Sequence, residues 1–405
     1  LGSTSPAELA EAVRTACLTG GSWPQEALRA LTRAALSEDQ AEAQEATRQL
    51  FVRVIEPLAD LFEPRLCDVY VRLFSEIVAQ AMEGVSAAEL EARYQRIRHP
   101  RTCHEEPRVV YVLSRVTLGA DIAVTSVLLD AARKRFRRAE IVLVGGEKAQ
   151  RVFAGEPRIR PLLIPYGRTS LLRDRLAVWP RLRALLADAA DAVVLDPDSR
   201  LTQLGLLPVA PEDRYFFFES RAYGAETSEP LSRLAARWCA EVLGVEDAQP
   251  FIAPISGPAP AEVAISLGVG ENPDKRMSES FEKALLRDLI SQGRSILLDC
   301  GAGGEEAERA RRVAAGLSQV RLFEGAFSDF AWAVARSRLY IGYDSSGQHA
   351  AAAAGTPLIT VFKGYVSQRF FERWRPCGQG PVTVIPVSAG QREEEVLDRV
   401  LAAAR

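Results

Sequence analysis

The chain has 405 residues, of which 47% are hydrophobic and 25% charged, with a formal net charge of −3. That length exceeds what one hydrophobic core usually organises, so two or three domains are expected. The balance is that of a globular protein, and the near-neutral charge excludes the overall basic footprint of a nucleic-acid binder.

From about residue 6 to 98, Leu, Ala, Val, Ile and Phe recur at three- and four-residue spacing with Glu, Arg and Gln between them. This is the pattern of amphipathic helices. Breaks at Gly20-Gly21-Ser22-Trp23-Pro24 and Phe62-Glu63-Pro64, with N-caps at Ser37-Glu38-Asp39 and Ser86, predict a separate bundle of four or five helices within residues 1–103. No chemistry is legible in it. Its stripe Leu66, Val69, Tyr70, Leu73, Phe74 and Ile77 reads as core, and its role as structural or oligomerising. His99, Cys103, His104 and Glu105 place four ligand-type residues in seven positions, but no second cluster accompanies them, so this segment reads as a linker.

The pattern changes after Pro107. Apolar runs at 108–113, 141–144, 191–196 and 215–218 have the composition of strands buried on both faces. Amphipathic stretches between them make this a doubly wound parallel sheet over residues 104–249. The cations Arg133, Lys134 and Arg135 read as a solvated helix end.

A Pro-rich joint, 250–260, leads into a second α/β unit over 250–405, with strands at 263–267, 295–299, 320–323, 339–341 and 358–362. A polar loop runs from 268 to 277, and the Gly-rich turn 301–304 opens a helix carrying Glu305 and Glu306. Two such lobes joined by a hinge place a cleft between their strand C-termini. At one of those ends, Asp344-Ser345-Ser346-Gly347 connects a strand to an Ala-rich helix. A turn of small residues feeding a helix N-terminus suits a diphosphate, because unpaired N–H groups and the positive dipole end point at the ligand. A plain helix cap by Asp344 is the alternative from the residues alone.

The run from Phe330 to His349, followed by Gly355-Thr356-Pro357, resembles the signature of glycosyltransferase family 9, which includes the lipopolysaccharide heptosyltransferases. Three more segments agree in order. The stretch Leu118 to Leu129 is similar to the family's first strand–helix turn. Asp274-Lys275-Arg276-Met277 resembles its donor-phosphate segment, and 301–306 resembles the turn that holds the nucleotide ribose. The closing segments Phe362-Lys363-Gly364 and 373–378 are also similar, so the resemblance spans about residues 108 to 390. Ser346 stands where the family usually has glycine, and Ala120 is inserted between Gly119 and Asp121.

The resemblance implies a GT-B fold, with two Rossmann-like lobes facing a cleft behind an all-α helical domain. It implies an inverting, metal-independent bacterial glycosyltransferase. The donor would be an ADP-, GDP-, UDP- or dTDP-linked sugar, and no further cofactor is required. Asp121 is the implied base. Lys275, Arg276, Glu305, Glu306, Asp344, Ser345, Ser346, Gly347 and His349 are the implied donor contacts. Asp198 and Arg200, at the end of the 191–196 strand, are the acceptor candidates; Arg168 and Arg221 lie near strand ends and suit an anionic acceptor. The acceptor stays open among glycan, lipid-linked and protein hydroxyls. A sugar-nucleotide epimerase and a non-catalytic binding scaffold are the rival readings.

The six cysteines are scattered without a Cys-x-x-Cys pair, which fits reduced thiols. No secretory signal and no apolar run of membrane-spanning length is visible, so a cytoplasmic location is expected. Peripheral contact with the inner membrane face, and homo-oligomerisation through the helical domain, stay open.

Overall fold

In the computed structural model, residues 4–187, 191–270 and 272–405 are described. Residues 1–3 and 188–190 of the expected domains, and Glu271 in the 268–277 loop, lie outside them. Two all-parallel sheets organise the chain. The first contains β1 (Val109–Leu113), β2 (Glu140–Gly145), β3 (Ile159–Leu163), β4 (Ala192–Asp196) and β5 (Tyr215–Phe217), in the order β3-β2-β1-β4-β5. The second contains β6 (Val263–Ser266), β7 (Ile296–Asp299), β8 (Val320–Phe323), β9 (Leu339–Tyr343), β10 (Leu358–Phe362) and β11 (Val382–Pro386), in the order β11-β10-β9-β6-β7-β8.

In each sheet the strand order reverses once, between β1 and β4 and between β6 and β9. Chains leaving such neighbours diverge to opposite faces and open a crevice beyond their C-terminal ends. The residues at these ends are Ser114 to Asp121 and Asp196 to Arg200 in the first sheet. In the second they are Ser266 to Gly270 and Asp344 to Gly347. β3 and β11 are absent from the expected strands. Both are sheet edges with partly exposed side chains, and their runs contain Pro161 or end at Pro386, so neither shows the continuous apolar run of a central strand.

The helical region comprises α1 (Pro6–Thr19), α2 (Gln25–Ala35), α3 (Gln40–Gln49), α4 (Glu56–Asp60), α5 (Pro64–Ala81) and α6 (Ala87–Ile97). A π-helical stretch, Leu50–Ile55, joins α3 to α4. Pro57 sits just beyond it; proline offers no N–H and crowds the carbonyl four residues back, so the regular ladder cannot run through. Asp39 and Ser86 cap α3 and α6.

This region is not a separate bundle. Tyr70, Phe74 and Tyr94 share one apolar core with Tyr111, Val142, Val194 and Phe217 on a face of the first sheet. Polar anchors reinforce the contact: the Tyr70 hydroxyl donates to the Gln203 carbonyl at 2.9 Å, Arg93 to the Gly205 carbonyl at 2.8 Å, and Tyr94 to Glu219 at 2.6 Å. Large apolar side chains on the sheet face, such as Tyr215 and Phe217, require such a cover. Among the described residues no helix is long and apolar enough to cross a membrane.

Candidate donor and acceptor chambers

Two chambers meet between the lobes. The first, of about 570 Å³, is lined by Ser266, Asp299, Gly301, Glu306 and Ser328 of the second lobe, with Lys148 and Arg151 opposite. The second, of about 350 Å³, has three walls. Arg115, Ala120, Asp198, Arg200 and Arg221 come from the first lobe, and Lys275, Asp344 and His349 from the second. Glu56, Asp60 and Phe62 come from the helical region. Gly270, Ser345 and Ser346 line both chambers.

At that junction the helix Ser346–Ala354 begins. Ser345 is extended and makes no side-chain cap to it, so the first-turn N–H groups are available to a ligand. Asp344 is therefore not the cap. It is 6% exposed; one carboxylate oxygen accepts from the Gln348 amide at 2.7 Å and the other from the Lys275 ammonium. Burial raises its carboxyl above the usual range, and the Lys275 charge opposes that.

The displaced glycine has a steric cause. A Cβ on Gly347 would overlap the hydroxyl of Tyr340, a fully buried β9 side chain, and a Cβ on Gly342 would meet the same group. Position 346 carries serine and faces both chambers. His349 is 6% exposed, with its ring edge-on to Trp374 at 6.0 Å. Burial, then the nearby Lys275 charge, lowers its pKa to about 3, so the imidazole is neutral.

The two glutamates separate. Glu306 lines the first chamber, and its Oε1 accepts from the Val269 and Gly270 N–H groups at 3.0 Å each. The Glu305 side chain is 70% exposed and lines neither chamber. Arg276 bonds Glu305 at 3.1 Å and Glu306 at 3.3 Å, and it too lines neither. It therefore braces the glutamates from outside both chambers, which departs from its expected direct donor contact. Asp299 was not foreseen. It faces the first chamber, accepting from the Gly301 N–H at 2.9 Å and the Ser266 hydroxyl at 3.1 Å, and burial pushes its carboxyl up to about 6.

Asp121 requires a second correction. It is 1% exposed, and its carboxylate accepts from the Ser114 hydroxyl at 2.8 Å, the Arg115 N–H at 2.7 Å and the Thr125 hydroxyl at 2.8 Å. Burial pushes it to about 6 in spite of these bonds. The cause is local. Asp121–Thr125 is a π-helical turn, with the Ser126 N–H bonding back to the Asp121 carbonyl, and such a turn holds one residue more than an α-turn. Each residue advances about 100° around a helix, so the inserted Ala120 faces the chamber and Asp121 turns inward. A base must reach the proton it removes, and this carboxylate faces its own turn.

Asp198 and Arg200 both line the second chamber. Asp198, at φ 70°, accepts from the Ser220 hydroxyl at 2.8 Å and from buried Arg221 at 3.0 Å, and its Oδ1 is buried without a partner among the described residues. One terminal nitrogen of Arg200 is likewise buried and unpartnered. Arg168 lies at the chamber rim, 3.5 Å from Glu56.

The wall from the helical region was missed entirely. Phe62, 2% exposed and at φ 54°, packs edge-on to Phe370 and Trp374 at 6.4 and 6.3 Å, and its carbonyl accepts from Arg369 at 3.4 Å. The available signal was a lone carboxylate, Asp60, inside the apolar run Leu58-Ala59-Asp60-Leu61-Phe62. Among the described residues no three His, Cys, Asp or Glu side chains gather as a metal site, the 99–105 linker included.

Residues 216–391 match the family model of glycosyltransferase family 9 (heptosyltransferase). Over that segment the chain is similar to the heptosyltransferases of glycosyltransferase family 9. Solved structures share the fold of this chain at low identity. The E. coli heptosyltransferase WaaC with ADP is 16% identical, covering 73% of this chain and 99% of its own, at a TM-score of 0.54. A family 9 glycosyl transferase from Veillonella parvula DSM 2008 is also 16% identical, covering 75% and 98%, at 0.56. E. coli ADP-heptose LPS heptosyltransferase II is 17% identical, covering 73% and 98%, at 0.50. No curated protein matches the chain at the sequence level. The lobes have the GT-B architecture, and the helical region precedes it.

Proposed function

We propose that this glycosyltransferase moves a sugar, heptose or a relative, from a nucleoside-diphosphate sugar to an acceptor hydroxyl with inversion and without an obligatory metal. The observation that carries the reading is the convergence of Lys275 and the uncapped N-terminus of Ser346–Ala354 where the two chambers meet. Residues 250–405 form the donor lobe and 104–249 the acceptor lobe. The nucleoside occupies the larger chamber, with Glu306 accepting from ribose hydroxyls. The diphosphate lies on Ser345, Ser346 and Gly347, and the sugar points into the smaller chamber towards His349 and Asp344.

As the bond from the anomeric carbon to the diphosphate oxygen breaks, charge develops on that oxygen. The helix N-terminus and the Lys275 ammonium face it and need no reorganisation, which is how preorganised donors lower a barrier. The acceptor enters beside Asp198 and Arg200. The unpartnered Arg200 nitrogen suits an anionic group on the acceptor, such as a phosphate or carboxylate on a glycan or lipid-linked precursor. The E. coli heptosyltransferase solved with ADP makes ADP the first nucleotide to try.

Titration calorimetry with ADP, GDP, UDP and dTDP tests the donor site, and binding of none would end this reading. Turnover with a chelator present tests metal independence. The anomeric configuration of the product, read by NMR, tests inversion. Sugar isomerisation on incubation with donor alone would favour an epimerase instead.

A further inference from the structure

Resting on that reading, we infer that Asp60, supplied by the helical region, is the base that takes the proton from the attacking hydroxyl. The first-lobe turn cannot offer one. Gly119 abuts the donor helix, where its added Cβ would lie 3.3 Å from His349 and 3.6 Å from Ser346, so this turn borders the reacting centre. The residue it presents to the chamber is Ala120, while the Asp121 carboxylate is sealed inside its own turn.

Asp60 lies on the remaining wall of the same chamber. It ends α4, just before the kink at Phe62, whose ring is wedged against Phe370 and Trp374. That wedge fixes the end of α4 against the donor lobe. Among the described residues the Asp60 carboxylate has no hydrogen bond or ion pair, unlike Asp121, Asp196, Asp198, Asp299 and Asp344. The charged groups facing it are Arg200 and Arg168 from the acceptor lobe, Glu56 one turn back on its own helix, and Lys275 from the donor lobe. Burial outweighs the three cations and pushes its carboxyl up to about 6, so at neutral pH it is ionised yet basic enough to accept a proton.

In the step, the acceptor O–H proton passes to Asp60 and the oxygen bonds to the anomeric carbon. The bond to the diphosphate breaks, and its electron pair leaves with the nucleoside diphosphate. The helical region is then part of the enzyme's active centre, beyond its role as a cover on the sheet.

The test uses the full chain and the Asp60→Asn variant. Calorimetry is done with ADP, GDP, UDP and dTDP. Turnover is read as nucleoside diphosphate released from the matching hexose or heptose donors, with water as the simplest acceptor, between pH 4.5 and 8. The wild-type rate rises with pH as Asp60 ionises. The variant keeps nucleotide affinity within about threefold, loses about 10²- to 10⁴-fold in turnover, and lacks the acid limb. A variant that turns over within about threefold of wild type, or keeps the limb, overturns the inference. If Asp60→Asn fails to fold, Asp60→Glu carries the test: the limb must shift with the new carboxyl, and an unchanged limb overturns the assignment. A wild type that binds no nucleotide or releases none sinks the donor reading itself, which separates the two failures.

Discussion

The Lys275 ammonium bonds the Asp344 carboxylate and lies 3.4 Å from the Asp344 carbonyl, tying the loop after β6 to the end of β9 across the donor lobe's crevice. The pair performs two tasks that substitution can separate. Lys275→Met strands a buried carboxylate, so the melting temperature falls, and it removes the cation proposed to face the diphosphate. Removing one such donor costs about 10²- to 10³-fold in turnover. Adding Asp344→Asn relieves the stranded charge and recovers part of the stability, while nucleotide affinity stays low. Thermal melts beside ADP titrations check this, and a double variant that regains affinity would contradict it.

Gly347→Ala tests the phosphate turn without touching a charge. The new methyl overlaps the buried Tyr340 hydroxyl, so either the strand or the helix N-terminus must shift. Overpacking of this kind costs about 1–3 kcal/mol, and the shift spoils the N–H array at Ser345 to Gly347. Expected are a lowered melting temperature and weakened nucleotide binding. Gly347→Ala in a Tyr340→Phe background, where the hydroxyl is gone, recovers both in part.

Asp121→Ala distinguishes a supporting role from an acid–base one. The carboxylate holds Ser114, the Arg115 N–H and Thr125, and the Arg115 guanidinium in turn bonds the Pro197 carbonyl and the Ser220 hydroxyl at 2.7 Å each. Leaving such buried donors unpaired costs about 1–3 kcal/mol each. The expected result is a clear loss of stability, with residual turnover that keeps its acid limb.

That turn also shows what the sequence could and could not disclose. The central strands and the order of the family segments were readable, because a strand buried on both faces needs an unbroken apolar run. Edge strands β3 and β11 carry no such demand. The insertion of Ala120 was visible as a letter, but its effect depends on a π-turn that rotates one side chain inward and another outward. Asp60 stood out as a lone carboxylate in an apolar run, but its position in the cleft was unreadable for a different reason. Helical periodicity marks the face that packs on the sheet, whereas its place in the cleft depends on how the whole helical region docks onto distant parts of the chain, through contacts such as Arg369 to Phe62. Glu305 and Glu306 are equivalent in sequence, and only the packing of Val269 and Gly270 against Glu306 distinguishes them.

His349 makes acid stability a readable quantity. Its folded pKa is about 3, below its ordinary 6.5, so the unfolded chain binds the proton more readily. The contribution is fully present above pH 6.5 and is lost as pH falls towards 3. A tenfold difference in proton affinity between the folded and unfolded chain corresponds to about 1.4 kcal/mol at most. Asp121 and Asp299 act oppositely: their folded values, about 6, exceed the ordinary 3.8, so their stabilising effect is present below 3.8 and lost as pH rises through 6. Denaturant titrations of wild type and His349→Gln between pH 7 and 4 should show a shallower acid decline in the variant. Parallel declines would mean the imidazole is protonated in place.

A buried set around Glu219 links the helical region to the first lobe beside the smaller chamber. Arg98 reaches both Glu219 oxygens, at 3.0 and 3.2 Å, and Tyr94 donates to one of them at 2.6 Å. Two residues on, Arg221 pairs with Asp198 and lies over the Tyr70 ring at 4.8 Å. Arg98→Ala leaves Glu219, 5% exposed, without its cation, and breaking a buried pair this way costs about 3–5 kcal/mol. The consequence should run along the chain from Glu219 to Arg221 and Asp198, which line the chamber proposed for the acceptor, and not to the chamber proposed for the nucleotide. Arg98→Ala is therefore expected to lower the melting temperature and raise the acceptor KM while the nucleotide Kd stays at the wild-type value. Equal losses in both would mean that the helical region supports the whole cleft, rather than its acceptor wall alone.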